Sequence, residues 1–411
     1  MHVLVLAPGT RGDVAPAAGL AASFVADGHD VTIVANAEYG HLVDDAGGTH
    51  VAIESTLTPE PSAQDRDDAG KASKPGVRAY LQTLRTYMDA AASAALEAAP
   101  GSDVILTNAI SPYGHDIAEH LGVPSAEALL QPARPSRDYP PMIASARDLG
   151  AFGNRLAGHL AQLVTTPYDP ACARVRAELG LRPESRRSAQ RRRREQGMRV
   201  HHGISPAVLP RPSDWPAELT LDGFWWPPAP SRWSPPEQLE TFLSTGPAPV
   251  VISLGSLPSG VAVADAIVDA LASGTHRVVL QGEDLRDAAE RLGADRALHV
   301  GDVPHEWLLP HAAAVVHQAG AGVSAAALRA GVPSVPLPIH TDQPFWARRL
   351  GQLHAATGPL PVKQVTGEKL AAMIEHATSS TTLRRGAQAV RDAIAGEDGT
   401  APLRTWLRQL A

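Results

Sequence analysis

One cysteine, Cys172, stands in 411 residues, which leaves it no partner for an internal disulfide and excludes any Cys-based metal cluster. That usage suits a reducing compartment. No apolar run approaches the roughly 20 residues that cross a bilayer. No basic n-region or apolar h-region precedes the strand-like HVLVLA after Met1, so no secretory leader is expected and a cytoplasmic location is. Basic residues are not in excess: Lys and Arg number 36 against 43 Asp and Glu, a formal charge of −7. General nucleic-acid binding needs a broad basic face and is excluded on that ground. No convincing metal-ligand cluster stands out. The dinucleotide fingerprint GxGxxG is absent as well, and the second strand ends in Ala35-Asn36 rather than the acid that would hold a ribose, which argues against a dehydrogenase.

What is there is alternation. The length favours two domains of roughly 200 residues. Residues 2–7 form a Val/Leu run typical of a buried parallel strand. The turn PGTRGD follows, then VAPAAGLAASFVADG with helical apolar spacing ending at Gly28, then the strand VTIVA at 31–35. This β–α–β opening signals a doubly wound α/β sheet. A helix near 78–99, a strand at 103–107, a helix at 113–121 and a strand at 124–130 continue the theme.

A second block repeats it. Strands are expected at 249–254, 277–281, 313–316 and 332–337, and helices at 261–272, 284–292, 322–330 and from Pro344. Terminal helices near 366–377, 381–395 and 400–411 complete the chain. The reading gives an N-terminal domain over 1–215 and a linker over 216–248. A C-terminal domain follows over 249–397, and a last helix over 398–411 that crosses back to the first domain.

Three stretches are irregular. Residues 55–77 and 132–148 read as loops, the first mobile. The run with Arg186, Arg187, Arg191, Arg192, Arg193 and Arg194 reads as a solvated surface loop, the usual meaning of an isolated basic run, with an anionic dock as the sharper alternative. Prolines crowd 206–236 beside Trp215, Trp225, Trp226 and Trp233, as in a linker that packs its aromatics on both halves.

Two constellations carry chemistry. Thr10, Arg11, Gly12 and Asp13 lie between the first strand and its helix, outside a strand's carboxyl end, where open α/β sheets bind ligands. Asp13 sits at the helix start, so a capping role competes with a catalytic one. Farther on, Ala319-Gly320-Ala321-Gly322 joins a strand to a helix N-terminus, where small residues let backbone amides approach a phosphate. His317 and Gln318 precede this turn, and Asp342-Gln343 follow the next strand with groups suited to sugar hydroxyls.

With these residues in view the chain resembles the family 1 type GT-B glycosyltransferases, which include glycopeptide-antibiotic, macrolide and bacterial sterol-type enzymes. The resemblance spans essentially the full length. It rests on GTRGDVAP, SPAVLPRP (205–212), VPHEWLLP (303–310), HQAGAGVS (317–324), LRAGVP (328–333) and DQPFWARRL (342–350). It implies two Rossmann-like domains facing across a cleft, the N-terminal one (1–215) acceptor-binding and the C-terminal one (249–397) nucleotide-sugar-binding. Asp13 falls where the antibiotic-type members carry their catalytic base. Asp302, Val303 and His305 fall on the nucleobase site, and Ser256, His317, Gln318, Ala319, Gly320, Ala321, Gly322 and Val323 on the diphosphate site. Asp342 and Gln343 fall on the donor-sugar pair. Gln318 replaces a usual His and cannot become cationic; Val323 replaces a usual Thr, with Ser324 the substitute hydroxyl.

The function so implied is an inverting, metal-independent transfer, with no cofactor beyond its co-substrate. A hexose or deoxyhexose would pass from a UDP- or dTDP-sugar to a hydroxyl of a lipophilic natural-product acceptor. Tyr139, Met142 and Phe152 suggest an apolar acceptor pocket. No nucleic acid and no transmembrane segment is expected; the chain would be a monomer or homodimer. A nucleotide-sugar epimerase and a non-catalytic helper on the same scaffold are the alternatives.

Overall fold

The structure, a computed structural model, describes residues 1–56, 77–132, 134–142, 147–164, 166–255, 261–272, 274–339 and 342–410. The first half alternates β1 (His2–Leu6), α1 (Arg11–Ala26), β2 (Asp30–Asn36), α2 (Gly40–Asp45), β3 (Thr49–Ile53), α3 (Val77–Ala98), β4 (Val104–Thr107), α4 (Gly114–Leu121) and β5 (Ser125–Leu129). Three helices follow, α5 (Gly150–Ala161), α6 (Asp169–Glu178) and α7 (Arg186–Glu195), and then β6 (Val200–His202) and β7 (Leu219–Leu221).

The second half runs α8 (Glu237–Ser244), β8 (Val250–Ser253), α9 (Val261–Ala272), β9 (Val278–Gln281), α10 (Arg286–Leu292), β10 (Ala297–Val300), α11 (His305–Leu308), β11 (Ala314–His317) and α12 (Ala321–Ala330). It ends with β12 (Ser334–Pro336), α13 (Gln343–Gln352), α14 (Gly367–Ser379), α15 (Thr381–Ile394) and α16 (Ala401–Leu410).

Both sheets are parallel, in the orders β3-β2-β1-β4-β5-β6-β7 and β10-β9-β8-β11-β12. Their Val, Ile and Leu runs are buried on both faces, as helix-covered parallel strands require. In each sheet the strand order reverses once, between β1 and β4 and between β8 and β11. Doubly wound sheets open a crevice for ligands at such a reversal. The turns after β1, β4, β8 and β11 therefore sit at the mouths of two crevices.

Several expectations need correction. The first sheet continues past residue 215, because Leu219–Leu221 pairs with β6. Strands β3, β6, β7 and β10 were not foreseen, nor were α5 and α6. The arginine run is not a loop: Ser185 caps α7 by accepting from Ser188 N, and several of its arginines are paired. Arg193 donates to buried Asp116, Arg192 bridges Glu119 and Glu184, and Arg186 pairs with Asp169. Most of the loop expected at 55–77 lies outside the described residues.

A shared apolar cluster joins the halves, with Leu129, Tyr139, Ile204, Val208 and Trp215 against Ala319, Leu328, Phe345, Trp346 and Val390. Tyr139 meets Phe345 edge to face at 5.8 Å. The chain then returns: Leu403, Trp406 and Leu407 of α16 enter the first domain's core, and Arg404 clamps Asp27 at 2.8 Å. The Trp-rich segment packs on both halves. Trp225 Nε1 donates to Gly399 O, Trp226 lies under the Arg329 guanidinium, and Trp233 meets Trp307.

Candidate active site

Between the halves lies a cleft of about 1890 Å³. Its N-terminal rim is the turn after β1. Gly9 adopts φ +135°, and a Cβ there would fall 2.2 Å from Asp13 Oδ2, so glycine lets the carboxylate fold back over the turn. Thr10 N and Thr10 Oγ1 both donate to that same Oδ2, at 2.9 and 3.2 Å, which leaves Oδ1 outside these two bonds on a residue that lines the cleft. The N-cap of α1 is thus Thr10, and Asp13 is the third helical residue that completes its capping box as well as a cleft residue. Burial pushes its pKa up to about 6; the Thr10 hydrogen bonds oppose the rise, and the negative charge of Asp342 adds to it.

Sequence reading missed what pins this turn. Gly9 N donates to Tyr87 Oη at 2.7 Å, and Tyr87 in turn donates to Asn36 Oδ1. Tyr87 is fully buried, and Asn108 Nδ2 holds Pro8 O from the β4 side. Asn36, at the strand end where a ribose-binding acid was sought, is the anchor of this chain. Tyr87 carried no signal beyond its place in a helical pattern.

The opposite rim is the β11–α12 turn. Gln318, Gly320, Ala321, Gly322 and Val323 line the cleft, and Gly320 caps α12 without any side-chain hydrogen bond. The first amides of a helix have no intrahelical acceptor, so those of Ala321, Gly322 and Val323 open toward the cleft with the positive end of the helix dipole. Gly255, at φ +73°, lets Gln318 Nε2 pass where a Cβ would be 2.0 Å away. Ser256 lies outside the described residues.

Two members of the diphosphate set stand behind this rim. His317 is fully buried; Ala319 N donates to its Nδ1 at 3.0 Å, which puts the proton on an Nε2 that has no hydrogen-bond partner. Burial lowers its pKa to about 3, so the ring is neutral and orders the turn instead of lining the cleft. Ala319 is buried with φ 63°, a left-handed conformation that L-residues avoid, and it packs in the shared cluster. Ser324 is buried and faces away from the cleft, so it does not replace the missing threonine hydroxyl there.

Of the nucleobase set only His305 lines the cleft. Its Nε2 donates to Gln281 Oε1 at 3.0 Å, and Gln281 Nε2 donates to Val303 O at 2.8 Å. Burial, with Arg11 adding to it, lowers the His305 pKa to about 4, so it too is neutral. Val303 is buried. Asp302 is exposed and reaches across the domains to Arg11 Nη1 at 2.5 Å.

Asp342 and Gln343 line the cleft at the start of α13. Trp346 Nε1 donates to Asp342 Oδ2, and Ile339 N to Gln343 Oε1. The remaining wall belongs to the first domain and the Trp-rich segment after it: Tyr139, Met142, Gly158, Gln162, an ion pair in which Arg134 Nη2 grips both oxygens of Glu127, and Trp226. Phe152 is not part of it; its side chain is 82% exposed. Among the described residues no three His, Cys, Asp or Glu side chains converge as a metal site, and no helix is long and apolar enough to cross a membrane.

Comparison with known proteins agrees with this geometry. The family described as Erythromycin biosynthesis protein CIII-like, C-terminal domain, matches residues 264–403. O-mycaminosyltylonolide 6-deoxyallosyltransferase of Streptomyces fradiae is 30% identical over 423 residues, covering 97% of this chain and 95% of that protein. A sterol 3-beta-glucosyltransferase of Arabidopsis thaliana is 27% identical over 98% of this chain, which spans 64% of that longer protein. In fold, the glycosyltransferase VinC in complex with dTDP is similar at a TM-score of 0.67 and 19% identity, covering 100% of this chain and 99% of that one. With paired parallel-sheet domains, a carboxylate on one rim and an open helix N-terminus on the other, the chain belongs to the GT-B glycosyltransferases that include the macrolide, antibiotic and sterol enzymes.

Proposed function

We propose that this glycosyltransferase moves a hexosyl or deoxyhexosyl group from a UDP- or dTDP-sugar to a hydroxyl of a lipophilic natural-product acceptor, with inversion and without a metal. The observation that carries the proposal is the opposition of Asp13 and the uncapped α12 N-terminus across one cleft. In a single displacement the acceptor O–H gives its proton to Asp13 Oδ1 as its oxygen bonds to the anomeric carbon. The bond from that carbon to the diphosphate oxygen breaks, and its electron pair leaves on the nucleoside diphosphate. The amides of Ala321, Gly322 and Val323 and the Gln318 amide stabilise the departing charge. His317 and Ala319 position that turn.

A base whose pKa is raised to about 6 is ionised at neutral pH yet more basic than an ordinary aspartate, which suits proton abstraction. Asp342 and Gln343 take the donor-sugar hydroxyls. His305, fixed with its proton on Nε2 so that Nδ1 is an acceptor, serves the base-binding end with Asp302 and Val303. The apolar wall of the first domain and the segment after it, with Tyr139, Met142 and Trp226, receives the acceptor. Trade in a soluble nucleotide sugar and one partly buried thiol, Cys172, whose pKa burial raises to about 12, fit a cytoplasmic enzyme.

The test is a panel of UDP- and dTDP-sugars against lipophilic alcohols and phenols, read by intact product mass with chelator present, followed by the anomeric configuration of the product. Transfer with inverted configuration is expected. A retained configuration, or turnover abolished by the chelator and restored by a divalent cation, refutes the mechanism.

A further inference from the structure

Outside the cleft, one surface has no role in the reaction. Phe152, Leu156 and Leu160 follow one another at steps of four residues along α5, so they share one face; Leu149 at its N-cap and Leu163 and Val164 in the turn after it extend the apolar surface at either end. All are exposed, Phe152 at 82% and Val164 at 63%. A ridge of six large apolar side chains on one helix and its two ends is unlike the scattered apolar exposure of ordinary surfaces.

Beside its C-terminal end lies a second stripe. Arg187, Arg191 and Arg194 occupy positions i, i+4 and i+7 of α7 and are exposed. Arg187 donates to Leu163 O, which joins the two stripes, and Arg186 donates to Val164 O at 2.7 Å. Arg176, Arg192 and Arg193 are matched by Asp116, Glu119 and Glu184, whereas among the described residues no carboxylate pairs with Arg187, Arg191 or Arg194. The molecule as a whole is anionic, at −7, so this is a local concentration of positive charge.

We infer that the α5–α7 face docks on the surface of an anionic bilayer, with Phe152 and the leucines entering the acyl boundary and Arg187, Arg191 and Arg194 meeting lipid phosphates. An apolar ridge edged by guanidinium groups is the pattern of helices that lie in the interface plane, and anionic headgroups supply the complementary charge. A second copy of the chain fits less well, because it would bring an equal set of unpaired guanidinium groups to the contact.

Docking there would also set how substrate enters. The inner sides of the same helices line the acceptor half of the cleft, through Gly158, Ala161 and Gln162 of α5 and its end and Arg186 and Gln190 of α7. A lipophilic acceptor dissolved in the membrane would then enter beside the docked face. This last step rests on the proposed acceptor class; the docking itself does not.

The experiment is flotation of the full chain, without donor or acceptor, on vesicles of phosphatidylcholine alone and of phosphatidylcholine with phosphatidylglycerol in equal parts. Recovery on the anionic vesicles should exceed that on neutral ones by at least about tenfold at low salt and fall as salt rises. The pair Phe152→Ser and Leu156→Ser should cut it by at least about tenfold, and Arg191→Gln with Arg194→Gln should bring it to the neutral-vesicle level. Phe152→Trp keeps the apolar surface, and its added emission should shift to the blue on anionic vesicles. Failure to float, variants that float like the parent, an unshifted emission from the Phe152→Trp chain, or a solution dimer split by the serine pair would each overturn the proposal. None of these readouts depends on turnover, so loss of the transferase reading would leave them standing.

Discussion

At the C-terminal rim of the cleft the phosphate-facing groups are chiefly backbone amides, those of Ala321 to Val323 with the Gln318 side chain beside them, while at the N-terminal wall the lining groups are side chains such as Tyr139, Met142 and the Glu127–Arg134 pair. The first kind of wall is built by a tight strand–helix turn of Gly and Ala, held from behind by a neutral His317. The second is built by irregular chain and three helices inserted between β5 and β6. A backbone wall recognises charge and leaves little for side chains to alter. A side-chain wall can change its ligand by substitution on an unchanged fold. Asp13 belongs to the first domain but resembles the donor side, because backbone geometry at Gly9 and Thr10 sets its orientation.

The sharpest way to separate the walls is Asp13→Asn. Turnover should fall by about two to four orders of magnitude, the usual worth of a general base, while nucleoside diphosphate affinity by calorimetry stays unchanged. In the parent, kcat/KM should decline as pH drops through about 6, where the carboxylate takes up its proton. The raised pKa means the folded state binds this proton more tightly than the unfolded chain does. The cost of ionised Asp13 is therefore absent below the ordinary aspartate value of 3.8, grows toward about 6 and is complete above it. Removing the charge at pH 8 should accordingly leave Tm no lower. A loss of donor binding in this variant would show that the two walls are not independent.

A smaller effect is expected on the backbone side. Gln318→His places a group that can carry charge beside the open amides, and nucleoside diphosphate should bind about fivefold tighter at pH 6 and less so at pH 8. Equal affinity at both pH values would mean that residue 318 does not reach the phosphates. Least of all should depend on the link between the walls. The Arg11–Asp302 pair is exposed, so Arg11→Ala should cost no more than about 1 kcal/mol of interdomain closure. That corresponds to a donor KM change of at most about fivefold, vanishing at high salt. A larger change would make the latch part of the donor site.

Legibility in the sequence followed the range of the interactions involved. The Val-rich strands β1, β2, β4, β8, β9 and β11 and the helix from Ala321 to its Gly331 cap stand out because periodicity and capping are local. The strands that escaped are short and mixed, such as Val200–His202 and Ala297–Val300, and only pairing with a neighbour makes them strands. Helix α5 escaped because Gly150, Gly153 and Gly158 weaken its propensity. The arginine run looked solvated because its acids lie far away in sequence: Arg193 meets Asp116 across 77 residues. Asp13, Gln318 and Asp342 were legible from their places at strand ends, but the retreat of His317, Ala319 and Ser324 behind the rim was not.

From its sequence alone this protein has two alternating α/β halves, a carboxylate after the first strand and a glycine-rich strand–helix junction in the second half, since each follows from residues within a few positions of one another. The tertiary structure decided what each side chain faces: that Tyr87 and Asn36 hold the Asp13 turn, that Phe152 points outward instead of toward the acceptor, and that Arg191 and Arg194 lack the acids their neighbours found. Direction and pairing depend on which distant segments pack together, and burial, which sets both the pKa of Asp13 and the neutrality of His317, exists only once they have.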